Sequence, residues 1–356
     1  MFHRILVINP GSTSTKVGVY INEQPLCVST IRHTVEELMQ YEQIIDQHDF
    51  RQQLVIDWLK ANDIPFEFDA IIGRGGLIKP IPGGVYRVNR KMVYETYYAL
   101  RKHACNLGCI IAYELAKQQQ NGCKAYIADP VTVDELLPEA RVSGSPLMPR
   151  LAIWHALNQR AIARRYASEI DSRYEDLNLI ICHLGGGISI AAHQKGRAVD
   201  ANNALDGEGP LSPERAGTLP AADLIHLCYS GRYTEDQLKK RVAGQAGLMA
   251  HLGTTDILQI MQQVEAGDAH AKLLIDAMIF HTAKAIAAEG AVFSGQVDAI
   301  LITGGMAHSK YITQGIASRV KFIAPVHLFP GEDEMEALAL NALSVLRGEC
   351  VAKEYE

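Results

Sequence analysis

The feature that most limits the fold is a strand–turn–strand unit that occurs twice, half a chain apart. The first has an apolar-alternating arm over residues 4–9, the polar turn Pro10-Gly11-Ser12-Thr13-Ser14-Thr15, and a second alternating arm over 16–21. The second has residues 179–183, the turn Leu184-Gly185-Gly186-Gly187, and residues 188–192. Gly185 follows Gly11 by 174 residues in a chain of 356. A supersecondary unit repeated at half-length predicts two duplicated lobes facing each other across a cleft. A third glycine turn, Gly304-Gly305-Met306-Ala307-His308-Ser309, follows the strand-like run 298–303 and opens into a helix near Lys310.

Between these markers, helical periodicity covers about 50–61, 107–119, 151–167, 255–265, 269–289 and 334–346. Strands alternating with helices predict an α/β fold, not a sandwich or a bundle. The Pro- and Gly-rich stretch 141–149 is the expected boundary, giving an N-terminal lobe over 1–150 and a C-terminal lobe over 151–331. After a second break at 325–331, residues 332–356 and their helix are expected to return to the first lobe.

Thirty-four basic against 40 acidic residues leave a formal charge of -6, with no broad positive footprint for nucleic acid or an anionic membrane. No run approaches 18 apolar residues, and Ile5-Leu6-Val7-Ile8 is too short for a signal-peptide core, so a cytoplasmic protein is expected. Seven cysteines, odd in number and mostly within apolar runs, suit buried thiols better than disulfides. His103, Cys105 and Cys109 lack a second matching half, which favours helix packing over a zinc site.

The turns carry the chemistry. Glycines and hydroxyls in a hairpin let backbone N–H groups approach an oxyanion, and Lys16 adds a charge. Taken singly, each turn is also compatible with a plain polar connection. Neither a P-loop nor a dinucleotide fingerprint occurs, so a nucleotide here would be gripped by hairpins. Arg74, among glycines, and Arg215, in Pro213-Glu214-Arg215-Ala216-Gly217, are candidate anion clamps, since guanidinium binds carboxylate or phosphoryl oxygens in a planar fork. His155, inside the expected helix 151–167, and His183, at a strand end, can donate to phosphoryl oxygens or serve as cap and core residues. Asp129 ends the run 124–128 at a strand's carboxyl end, where it can hold hydrated magnesium or cap a turn before Pro130.

These residues resemble the acetate and butyrate kinase family of the sugar kinase, Hsp70 and actin superfold. The resemblance rests on Asn-x-Gly-Ser-x-Ser-x-Lys at 9–16 and His-Leu-Gly-x-Gly at 183–187, and covers nearly the whole chain. It implies two ribonuclease H-like lobes of the actin-like ATPase type. Gly185-Gly186-Gly187, Gly73-Arg74-Gly75-Gly76-Leu77-Ile78 and Leu205-Asp206-Gly207-Glu208-Gly209-Pro210 are similar to the butyrate kinase branch. The resemblance implies reversible phosphorylation by ATP of a short-chain carboxylate, butyrate or a branched acid, to its acyl phosphate. Acetate or propionate kinase activity, or a non-kinase ATPase switch of the same superfold, are the alternatives.

By the same resemblance, Arg74 and Arg215 are substrate-side arginines, His155 and His183 face phosphate, and Asp129 is an active-site acid. The first phosphate loop is Asn9, Gly11, Ser12, Ser14 and Lys16; the second is His183, Gly185, Gly186 and Gly187; the adenosine loop is Gly304, Gly305, Met306 and Ser309. Magnesium falls to Asp129 and to Glu334 or Glu336. A family histidine four residues after His155 is replaced by Gln159. The implied partners are the small acid and its acyl phosphate, and the implied assembly is a homodimer or larger homo-oligomer.

Overall fold

The computed structural model describes residues 2–99 and 101–356. Among them run twelve strands: β1 (Arg4–Pro10), β2 (Ser14–Ile21), β3 (Gln24–Arg32), β4 (Ala70–Arg74), β5 (Val85–Arg87), β6 (Lys124–Ala128), β7 (Asn178–Leu184), β8 (Ile188–Gln194), β9 (Arg197–Ala201), β10 (Ala299–Gly304), β11 (Val326–Pro330) and β12 (Lys353–Glu354). They form two sheets, in the orders β12-β5-β6-β4-β1-β2-β3 and β11-β10-β7-β8-β9.

The sheets share a plan. An antiparallel meander, β1-β2-β3 in one and β7-β8-β9 in the other, continues through its first strand into parallel neighbours: β4 and β6, or β10 and β11. Ile5, Leu6, Val7 and Ile8 of β1 and Leu179, Ile180, Ile181 and Cys182 of β7 are all fully buried. A strand covered on both faces needs such an unbroken apolar run.

The chain divides into two compact units: Met1–Val133 with Ala156–Asn158 and Asp333–Glu356, and Asp134–His155 with Gln159–Glu332. In the first, helix Glu334–Leu346 buries Met335, Leu338, Ala339, Ala342 and Leu343. Helix Asn106–Lys117 meets β4 through Gly73 and Gly108; a Cβ on Gly73 would lie 2.0 Å from the Gly108 carbonyl oxygen. Only glycine permits that approach, and Arg74 is the next residue along β4.

Two helix starts depart from the periodicity. Asp256 accepts hydrogen bonds from the N–H groups of Leu258 and Gln259, so its helix runs Ile257–Glu265. The helix expected over 151–167 is Ala156–Glu169, and His155 stands just before its first turn at φ -80°, ψ 60°. Ile153 bridges Asn203, and the His155 N–H donates to Ser189 Oγ, so the backbone here pairs outside a helix. Apolar spacing alone does not distinguish these alternatives for Leu151 to Trp154.

Candidate functional site

In the first unit, the β1–β2 turn is tied from beneath. Gly11 N–H donates to the Ser14 carbonyl at 2.7 Å. Arg51, fully buried, donates through Nη1 to the carbonyls of Gly11 (2.6 Å) and Ser14 (3.1 Å), and through Nη2 to Ser12 (3.0 Å). The Thr13 carbonyl accepts from His33 N–H at 3.0 Å. Every carbonyl from 11 to 14 thus faces a donor, which offsets part of the negative charge these oxygens would present to an anion at the turn.

Burial lowers the Arg51 guanidinium to about 10, and burial together with the Arg51 charge lowers His33 to about 4, so His33 is neutral at pH 7. Arg51 is absent from the sequence-derived site. Its signal is its place on the apolar stripe Arg51, Val55, Leu59, the three buried residues of helix His48–Ala61. Lys16 is exposed in β2, paired in register with Asn9 of β1; Ser12 is exposed and Ser14 half-buried.

At the carboxyl ends of β1 and β4, Asn9 and Arg74 converge on one atom. Asn9 Nδ2 donates to Glu334 Oε2 at 2.8 Å, and Arg74 Nη1 pairs with the same oxygen. Glu334 is buried and Glu336 exposed, so the neighbouring acids left open by the sequence are separated: Glu334 joins Asn9 and Arg74. Asp129, buried at the end of β6, holds φ at +39°, and its Oδ1 accepts from Gly84 N–H at 2.7 Å. Its own N–H donates to the Gly84 carbonyl at 3.0 Å. An Asp in left-handed backbone, tied twice to one residue, is fixed in direction.

In the second unit, the triple-glycine turn is closed by Gly185 N–H to the Gly187 carbonyl at 3.1 Å. Ser212 Oγ and the Glu214 N–H both donate to the Gly186 carbonyl, at 2.8 and 3.0 Å. This places Arg215, half-buried and donating to Glu214 Oε2 at 3.1 Å, beside the turn. His183 is buried, with Nε2 3.0 Å from a Glu332 carboxylate oxygen, and its ring stacks on His155 at 3.8 Å between centroids. Gly304 has φ +93°, and a Cβ there would lie 2.5 Å from the Leu184 carbonyl oxygen, so glycine lets the end of β10 close against β7.

The same unit holds a cavity of about 800 Å³ lined by Gly185, Gly186, Glu214, Gly305, Met306 and Ser309, with Ile257, Leu258 and Met261. Glycines of the second turn, residues of the third turn and apolar side chains therefore share one pocket of ligand size. Elsewhere, His103 Nδ1 lies 3.1 Å from Cys105 Sγ, and Thr96 Oγ1 donates to Cys109 Sγ. Burial raises these thiols to about 11 and about 12. Among the described residues, no group of three His, Cys, Asp or Glu is placed to hold a metal, and no helix is long and apolar enough to cross a membrane.

Residues 152–324 match the family model described as the Acetokinase family. Over 353 residues, 99% of this chain and all of the relative, the chain is 63% identical to a probable butyrate kinase of Bacteroides thetaiotaomicron. The chain belongs to the acetokinase family. A probable butyrate kinase of Phocaeicola vulgatus is 49% identical over 99% of both chains. Among solved structures, Porphyromonas gingivalis acetate kinase superposes with a TM-score of 0.78 at 16% identity, covering 97% of this chain and 100% of that one. That likeness establishes the fold, the duplicated actin-like ATPase architecture. Membership of the acetokinase family makes the protein a carboxylate kinase, a phosphotransferase that uses ATP and ADP with small-molecule substrates.

Proposed function

We propose that the protein transfers the γ-phosphoryl group of ATP to butyrate or a branched short-chain acid, and runs in reverse from the acyl phosphate. The observation that carries the choice of acid is the near full-length, 63% identity to a relative named as a probable butyrate kinase. The geometry supports the chemistry. A short-chain acid titrates near ~4, like side-chain carboxyls, so the nucleophile is ionised at pH 7 and needs no general base. Its oxygen attacks the γ-phosphorus as the bond to the leaving ADP oxygen breaks. The demand on the protein is to neutralise converging anions and to align them.

In this reading Arg74 and Arg215 clamp the carboxylate and the migrating group, and His155 and His183 donate to its equatorial oxygens. Asn9, Gly11, Ser12, Ser14 and Lys16 hold one set of phosphate oxygens, and Gly185, Gly186 and Gly187 another. Gly304, Gly305, Met306 and Ser309 line the nucleoside. Asp129 and Glu334 suit a hydrated magnesium ion, because Mg²⁺ takes one or two carboxylates and completes its shell with water and phosphate oxygens. When bound, the ion neutralises phosphate charge. Glu334 already gives one oxygen to Asn9 and Arg74, which fixes the direction of the other. The family likeness also supports a cytoplasmic homo-oligomer, a dimer or larger, checked by sedimentation.

The test is kcat/KM by direct ADP release over straight and branched acids of two to six carbons. Because one methylene is worth roughly 10- to 200-fold at most in an apolar pocket, a graded series centred on four carbons is expected. Acetate preferred over butyrate by tenfold would overturn the assignment of the acid.

A further inference from the structure

Behind His155 lies a run of buried polar side chains that the proposed mechanism does not use. Tyr174 Oη is 2.6 Å from His193 Nδ1, and His193 Nε2 is 3.0 Å from Gln159 Oε1. Gln159 Nε2 reaches the Ser189 carbonyl at 3.1 Å and Ser189 Oγ at 2.9 Å. Ser189 Oγ lies 2.8 Å from His155 Nδ1 and also accepts from the His155 N–H at 3.3 Å. Gln159, Ser189 and His193 are wholly buried and Tyr174 nearly so.

The proton directions follow from counting. Ser189 Oγ has two lone pairs and one proton. The amide of Gln159 and the backbone N–H of His155 take the lone pairs, so the hydroxyl proton points to His155 Nδ1. With its Nε2 side donating to Ser189, Gln159 presents Oε1 to His193, which must therefore carry its proton on Nε2. His193 Nδ1 is then the acceptor that the Tyr174 hydroxyl requires. Each assignment permits the next, and reversing any one sets two donors or two acceptors face to face.

We propose that Tyr174, His193, Gln159 and Ser189 form a one-way hydrogen-bond chain that positions His155 as a neutral imidazole with its proton on Nε2. They are positioning residues, and the inference rests on the reading above that His155 donates to the phosphoryl group. Burial and the nearby Arg160 guanidinium hold His193 well below the usual imidazole range, so the middle of the chain stays neutral. The stack on His183, 3.8 Å between centroids and 11° between planes, holds the same ring from its face. Gln159 occupies the position where the family resemblance places a histidine. An amide suits the chain because it accepts at one atom and donates at the other, so its direction is set by its neighbours.

The experiment uses full-length protein labelled with ¹⁵N-histidine. Long-range ¹H–¹⁵N spectra near pH 7 are assigned by the signals lost in His155→Asn and His193→Asn. Both rings are expected to show an unprotonated Nδ1 and a protonated Nε2. Ser189→Ala should mix the His155 tautomers and lower kcat roughly 10- to 100-fold, the range for removing a group that orients a histidine from behind, while KM for ATP moves less than about threefold. Tyr174→Phe, which removes one oxygen, should mix the His193 tautomers and guards against a folding defect in Ser189→Ala. A wild-type His155 protonated on Nδ1, or unchanged spectra in both variants, would overturn the chain. Normal kcat in His155→Asn with the expected wild-type tautomers would instead remove the catalytic reading of His155 and leave the chain standing.

Discussion

Arg51 offers the sharpest test of how the first turn is built, because its effect on stability and its effect on nucleotide use have one cause. In Arg51→Met, the Gly11 and Ser12 carbonyls lose the guanidinium donor, as does buried Gln47 Oε1, which accepts from Nη2 at 2.7 Å and Nε at 3.1 Å. Ser14 O keeps its bond from Gly11 N–H. Hydrogen bonds to a charged group contribute about 1.5–3 kcal/mol each, and a stranded buried acceptor costs about 1–3 kcal/mol. These terms overlap, and water can reach the exposed Ser12 end of the turn. Relief from holding a guanidinium out of water offsets part of the loss. The net expectation is about 3–5 kcal/mol off the unfolding free energy of the first unit. Trp58, in the same helix as Arg51, reports that unit's urea transition when Trp154 is replaced by Phe in both reference and variant. Carbonyls released toward the phosphates should lower kcat/KM for ATP by at least about tenfold, or 1.4 kcal/mol. Arg51→Lys keeps the charge but not the fork and should fall between. Stability within about 1 kcal/mol of the parent, with an unchanged KM for ATP, would show that the turn holds its shape unaided.

Arg74→Ala and Arg215→Ala should each lower kcat/KM for the acid about 10²- to 10³-fold, with near-normal rates in both removing the carboxylate clamp. Only Arg74→Ala should also destabilise the protein, because it leaves the buried Glu334 carboxylate with the Asn9 amide but without its cationic partner, and thermal melts check this. Glu334→Gln should raise the magnesium concentration needed for half-maximal rate, whereas exposed Glu336→Gln should not; equal shifts would defeat the assignment. Burial, then the Asp200 charge, raises Glu289 from 4.5 to about 8. Between those values the folded state holds a proton that the unfolded state has lost, so stability falls as pH rises through the window, by at most about 5 kcal/mol, and levels above it. Glu289→Gln should flatten the slope of Tm against pH between 5 and 8, and an unaltered slope would refute the linkage.

What can be read in the sequence follows from the range of the interactions. The hairpins β1–β2 and β7–β8 are legible because alternation and turn chemistry are local, and their spacing reveals the duplication. Helix starts at Ala156 and Ile257 are missed by a few residues, since Ile153–Asn203 and the Asp256 cap are settled by pairing, not by periodicity. Strand β5 has three residues and the edge strand β12 two, too few for any period to show.

The site divides in the same way. Glycine turns are written in consecutive residues, but Arg74 and Glu334 are 260 positions apart, and Asn9 and Glu334 are 325 apart. No local pattern pairs them. Arg51 is legible in principle as a charge on a buried stripe, a placement that requires compensation nearby. What compensates it is a turn 40 residues upstream, made of carbonyls that every sequence possesses. The chain behind His155 is hidden for a stronger reason: Tyr174, Gln159, Ser189 and His193 are ordinary residues singly. Their meaning comes from the direction of four hydrogen bonds, a property that exists only once β8 and helix Ala156–Glu169 have been brought together.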